Sequence, residues 1–186
     1  RMKIYGFEIE PVGEEFSAEN MVQVYFPNLC AGAKVNKKKC RLVKNNDKNI
    51  YEIDYAIEID GKRAAWIDAE HKQGGWGYPR WSVAIYTMAY NKGERDHPIV
   101  TNKVKVYREF PKASFWLPIR LDYKSAGIIV ASDIITAKIA FRPKPKGFAR
   151  DIEMYEFPAS KMVFGEPYKN DIENYVLEKL EKAGLI

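Results

Sequence analysis

The stretch YEIDYAIEIDGKRAAWIDAEHK, residues 51–72, sets the fold expected of this chain. Its first half alternates strictly. Ile53, Tyr55, Ile57 and Ile59 fall on one face of an extended strand, and Glu52, Asp54, Ala56 and Glu58 on the other. Asp60-Gly61 then supplies a two-residue turn, and KRAAWIDAEHK returns. Asp-Gly between two such runs predicts a β-hairpin. On the returning strand Trp66, Asp68, Glu70 and Lys72 share a face, while Ala65, Ile67, Ala69 and His71 take the other. A hairpin brings Asp54 near Glu70 despite a sequence separation of sixteen positions. A tight turn sets Asp54 opposite Ile67, with Asp68 and Glu70 as diagonal neighbours; a bulge would bring Asp54 closer to Glu70.

Carboxylates gathered in one place repel, and one takes up a proton unless a cation sits between them. Mg²⁺ or Mn²⁺ meets that need with oxygen ligands and retained waters. A bound ion would hold a phosphate oxygen and lower the pKa of an attacking water. The ammonium of Lys72, two positions past Glu70, points to the same side. It would orient the water or offset the charge that develops on phosphorus.

Asp54, a fifteen-residue spacer, and then Glu70-His71-Lys72 on a hairpin resembles the active site of the PD-(D/E)XK nuclease superfamily. The likeness covers roughly residues 17–75. It implies an α/β (α+β) fold: a mixed central β-sheet with a β-hairpin active site, flanked by helices, in one domain over residues 1–186. It further implies that Asp54 and Glu70 bind the metal, that His71 contributes its main-chain carbonyl, and that Lys72 is catalytic. Some members carry another Glu on a preceding helix, for which Glu14, Glu15 and Glu19 are candidates. Two features depart from the pattern. Ile53 stands where many members have Pro, and Asp68 is an extra acid that could act as a further metal ligand. The function implied is metal-dependent hydrolysis of DNA phosphodiesters by an endonuclease-like enzyme, with a homodimer expected if both strands are cut. The competing readings are a non-catalytic nucleic-acid-binding module or inactive relative of the fold, and an ordinary hairpin whose acids and lysines form a solvated face. Trp66 and Ala56 on the charged face argue against a wholly wet one.

Basic and aromatic residues suggest where nucleic acid would lie. Lys37, Lys39 and Arg41 belong to a lysine-rich segment, residues 34–48, that would track a phosphate backbone or protect an edge strand. In GGWGYPRW, residues 74–81, Arg80 is placed on a phosphate, and Trp76, Tyr78 and Trp81 either stack on bases or pin the turn to the core.

Elsewhere Ser17 is expected to cap a helix through Phe26 that Pro27 ends, and Asn45-Asn46-Asp47 to turn. Residues 81–90 are apolar and fit a helix or a strand, with helix preferred, and the run from Pro98 to Phe110 has the period of a strand. SFWLPIRLDY and AGIIVAS read as strands. Ser132-Asp133 would cap a helix over IITAKIA, RPKPKGFAR is a basic loop, and IEMYEF is a late strand. A final helix, capped by Asn170 or Asp171, carries Ile172, Tyr175, Val176, Leu177 and Leu180 on one side and ends at Gly184.

Composition bounds the rest. The chain has 186 residues, 46% hydrophobic and 30% charged, with a net charge of +5. That is room for one well-buried core and leans towards an anionic partner. No apolar run is long enough to span a membrane and no secretion signal is read at the start, so a cytoplasmic, intracellular setting is expected. Cys30 and Cys40 have no zinc spacing. With only His71 and His97 there is no thiol or serine nucleophile with a base beside it, and no nucleotide-binding glycine loop occurs.

Overall fold

The computed structural model describes residues 2–4, 7–9, 21–45, 53–74, 76–91, 94–120, 122, 124–148 and 150–186. In chain order the strands are β1 (Met2–Ile4), β2 (Phe7–Ile9), β3 (Ala33–Val35), β4 (Lys38–Lys44), β5 (Tyr55–Ile59), β6 (Lys62–Lys72), β7 (Arg80–Ala84), β8 (Tyr86–Asn91), β9 (Glu94–Val100), β10 (Ser114–Arg120), β11 (Ala126–Val130), β12 (Lys138–Arg142), β13 (Ile152–Pro158) and β14 (Val163–Gly165). The helices are α1 (Pro27–Ala31), α2 (Asn102–Glu109), α3 (Ala131–Ile135) and α4 (Asp171–Lys182), with a 3-10 turn at Val22–Tyr25.

A seven-stranded sheet runs in the order β14-β11-β10-β6-β5-β4-β3. Its one parallel pair is β6 with β10, and every other neighbour is antiparallel. The sheet is therefore mixed, as expected. Central strand β10 is apolar along its length because both its faces are covered. On one side Phe115, Leu117, Tyr55, Ile57 and Ile67 pack with Tyr25, Leu29, Val176 and Leu180 from the 3-10 turn, α1 and α4. On the other, Trp116 and Ile129 pack with Tyr107 of α2, Ile134 of α3, and Trp81, Val83, Tyr155 and Phe157 of a second sheet ordered β12-β13-β7. Glu173 of α4 is fully buried, and its carboxylate accepts the Asn28 and Leu29 amides of α1 at 3.1 and 3.0 Å. That contact satisfies two donors at the start of α1 and joins the two helices.

The hairpin forms where the alternation placed it, and both turn residues take positive φ (Asp60 50°, Gly61 80°), as a type I′ turn requires. The register is the bulged one. Glu58 pairs with Arg63, but Ile57 pairs with Ala65, so Ala64 is the extra residue. Tyr55 then pairs with Ile67. The ladder ends at that pair, and Asp54, the residue before it, lies on the side of Asp68 and Glu70. The tight register would have put Asp54 on the face of Ile67 instead, since a one-residue slip reverses the face of every side chain. Ile53 departs from the alternation: it lies in the Trp81–Trp116 cluster rather than with Tyr55 and Ile57, because the chain leaves the ladder at Asp54.

Several expectations are corrected. Residues 81–90 are strand, not helix: Trp81, Val83 and Ile85 are buried at period two. The run after Pro98 is strand only to Val100; Asn102–Glu109 is helix, started by Thr101, whose Oγ1 accepts the Val104 amide at 3.3 Å. Pro27 opens α1 at the first helical turn rather than only ending what precedes it. The helix over IITAKIA stops at Ile135, begins without a side-chain cap, and gives way to β12. Asn170 occupies the cap position of α4 without a side-chain hydrogen bond, while Gly184 ends the helix at φ 76°. The lysine-rich segment turns at Asn36-Lys37, both at positive φ, to form the β3–β4 hairpin. Phe16, Ser17, Glu14, Glu15, Glu19, Asn46 and Asp47 lie outside the described residues. Among the described residues no helix is long and apolar enough to cross a membrane.

Candidate active site

The charged face of the hairpin is not a solvated one. α2 and the second sheet cover it, Trp66 stacks on Phe110 at 4.2 Å between centroids, and Asp68 is only 5% exposed. What remains open is a cleft of about 840 Å³ lined by Asp54, Asp68, Glu70, Lys103, Phe141 and Arg150, among others.

Each carboxylate on that wall is held by a different part of the fold. Asp54 sits where β5 leaves the ladder, and its Oδ2 accepts the Ala69 amide at 2.7 Å. The side chain thus takes the place of a main-chain acceptor on an amide next to both other acids. Asp68 Oδ2 accepts the Tyr107 hydroxyl at 3.4 Å, and Glu70 Oε2 accepts the Trp116 indole N–H at 3.0 Å. Burial, followed by the nearby Asp68 and Glu70 charges, pushes the Tyr107 phenol well above its ordinary range, so it stays protonated and able to donate.

Two ammonium groups balance the acids. Lys72 Nζ lies 3.9 Å from Glu70 Oε1 and 5.6 Å from the Trp116 ring centroid, so it leans over the same side as Glu70. Lys103, from the first turn of α2, lies 3.4 Å from Glu70 Oε2 and 3.8 Å from Asp68 Oδ2. Lys103 escaped the sequence reading because residues 98–110 were assigned to a strand. The signal that would have found it is Thr101 with helically spaced Val104 and Tyr107 behind it.

His71 pairs with Ile119 on the opposite side of the strand from the acids, and burial lowers the pKa of its imidazole. His71 is not among the residues that line the cleft. Arg80 lines a depression that adjoins Lys72. Lys37, Lys39 and Arg41 are exposed on the β3–β4 hairpin and do not line the cleft; Lys39 and Arg41 border a separate hollow with Glu58. Trp76 and Trp81 pack edge-on at 5.1 Å and serve the core, while Tyr78 stays 65% exposed.

The donor chemistry suits a hard divalent ion, since every side chain on the acidic wall offers oxygen. Among the described residues, however, no three His, Cys, Asp or Glu side chains converge as a ready metal-binding set. An ion here would be held by Asp54 and Glu70, a main-chain carbonyl and several waters, which is how Mg²⁺ is commonly bound.

The fold and site together define a mixed α/β protein with a cleft lined by the carboxylates of Asp54, Asp68, Glu70, Asp151 and Glu153 and by Lys103 and Arg150, with Lys72 beside Glu70. No family model and no curated protein matches the chain. Among solved structures it is similar to D212, a nuclease from a fusselovirus, at 14% identity and a TM-score of 0.41, over 77% of this chain and 79% of that one. At that identity and TM-score the likeness assigns neither a function nor a residue.

Proposed function

We propose that this protein is a Mg²⁺- or Mn²⁺-dependent nuclease that hydrolyses DNA phosphodiester bonds in the cleft. The observation that carries the proposal is that Asp54, Asp68 and Glu70 line one cleft, with the Lys72 ammonium beside Glu70. Asp54 and Glu70 would hold the ion with the His71 carbonyl, and Asp68 would support them. When bound, the ion supplies Lewis acidity and a water of lowered pKa. The chain's own residues do the rest. The Ala69 amide and the Trp116 indole orient the two carboxylates, and Lys72 donates to the attacking water or to the phosphate as negative charge grows.

Plasmid or oligonucleotide DNA should be cut with Mg²⁺ or Mn²⁺ and left intact in EDTA. Glu70→Ala and Lys72→Ala should each lower the rate by about a hundredfold or more while leaving the circular-dichroism spectrum unchanged.

One observation favours the alternative, a non-catalytic nucleic-acid-binding module: Lys103 already supplies a cation to Asp68 and Glu70. A protein that binds DNA, cuts it with neither metal, and binds equally well as Glu70→Ala would establish that alternative.

A further inference from the structure

A second depression, about 370 Å³ in volume, opens where the cleft ends. The two have no lining residue in common but neighbour each other along β6: Glu70 lines the cleft, and Lys72, two positions along the same face, lines the depression. A chain-like ligand could therefore run from one into the other without leaving the surface.

The two hollows differ in chemistry. The cleft presents acids, whereas the depression presents Lys72, Arg80 and Arg142, with Tyr78 at its side. Arg80 pairs with Glu156 at 3.4 Å, but its side chain is 69% exposed, so solvent screens that pair and leaves the guanidinium accessible to an anion. Tyr78 is 65% exposed, and the residue that follows it is tied to a neighbouring segment of the chain. Gly77 adopts φ 85°, Pro79 restricts the next φ, and the Pro79 carbonyl accepts the Ala159 amide at 2.8 Å. A ring facing solvent beside three cations offers a stacking surface next to phosphate contacts, the pairing that single-strand binders use. A base inside a duplex is already stacked on both sides and cannot use such a ring.

Building on the nuclease reading, we propose that this depression is a subsite for an unpaired nucleotide flanking the scissile phosphate, with its base on Tyr78 and its phosphate on Arg142 and Arg80. Lys72 then stands at the boundary between this flanking nucleotide and the acids. The substrate class is DNA that is single-stranded on that side, such as a flap, overhang or frayed end.

The test is fluorescence anisotropy in EDTA, with a fluorescein-labelled oligothymidylate and a blunt duplex of the same length as probes. Tyr78→Ala should weaken oligothymidylate binding about tenfold and leave duplex binding within about twofold, and Tyr78→Phe should restore it. Arg142→Gln should reduce the slope of log Kd against log salt by about 0.7 on the single strand. If the wild type binds oligothymidylate and Tyr78→Ala binds it equally well, or loses both probes alike, the subsite is overturned while the nuclease reading stands. A wild type that neither binds nor cuts either form overturns both.

Discussion

Lys103 and Glu70 show how much one side chain decides in this cleft. Glu70 receives an indole N–H and faces two ammonium groups, and Asp68 shares one of them. If the Lys103 ammonium and a divalent ion compete for the same oxygens, its removal exposes the repulsion between Asp68 and Glu70 and frees them for metal. Lys103→Met should therefore lower stability in EDTA by about 1–2 kcal/mol, after allowance for partial exposure. It should also tighten Mn²⁺ binding severalfold by titration calorimetry. An unchanged Mn²⁺ isotherm would show that the ammonium and the ion do not share ligands.

The bulge at Ala64 has the largest consequence among the strands, because it turns Asp54 onto the face of Asp68 and Glu70. Nothing in the alternation of YEIDYAIEI distinguishes a bulged ladder from a regular one. The choice comes from packing, which buries Ala65 and Ile67 with Tyr55 and Ile57 on one side of the sheet and seats Trp66 on Phe110 on the other. The misread stretches have similar causes. Trp81, Val83 and Ile85 satisfy a strand period only once a second sheet exists to bury them. Asn102–Glu109 mixes Val with Lys at period two and also carries a helical stripe. The Thr101 hydroxyl favours the helix by accepting the Val104 amide at 3.3 Å. Thr101→Ala should cost about 1 kcal/mol in denaturant unfolding, and Thr101→Ser should recover most of it. Equal losses in both variants would mean that the hydroxyl contributes nothing.

Among the described residues across the molecule, burial raises the pKa of two thiols, Cys30 and Cys40, and two phenols, Tyr107 and Tyr175, so all four resist ionisation. Burial pushes the Cys30 thiol up to about 11 and the Tyr175 phenol up to about 12, and raises Tyr107 strongly. In the unfolded chain they ionise near 9.0 and 10.0. Above those values the unfolded state sheds protons that the native state keeps, so stability falls as pH rises. Denaturant midpoints should hold through neutrality and drop from about pH 9 upward. Cys30→Ala should lessen the drop between pH 9 and 11, leaving the part that Cys40 contributes, and a profile unchanged by the substitution would contradict this assignment.

Local pattern was enough for the hairpin, the two apolar central strands, the last helix and the hairpin's own acids, Asp54, Asp68 and Glu70. Each rests on periodicity, turn chemistry or capping within a short window of sequence. Asp151 and Glu153, which also line the cleft, carry no such signal. The parallel pairing of β6 with β10, the bulge that aims Asp54, the approach of Lys103 and Tyr107 from α2, and the separation of Lys37, Lys39 and Arg41 from the cleft required the folded chain. These depend on which distant surfaces exclude water together. Burial across two faces of one sheet is a cooperative property of the assembled layers, and no short window of sequence carries it.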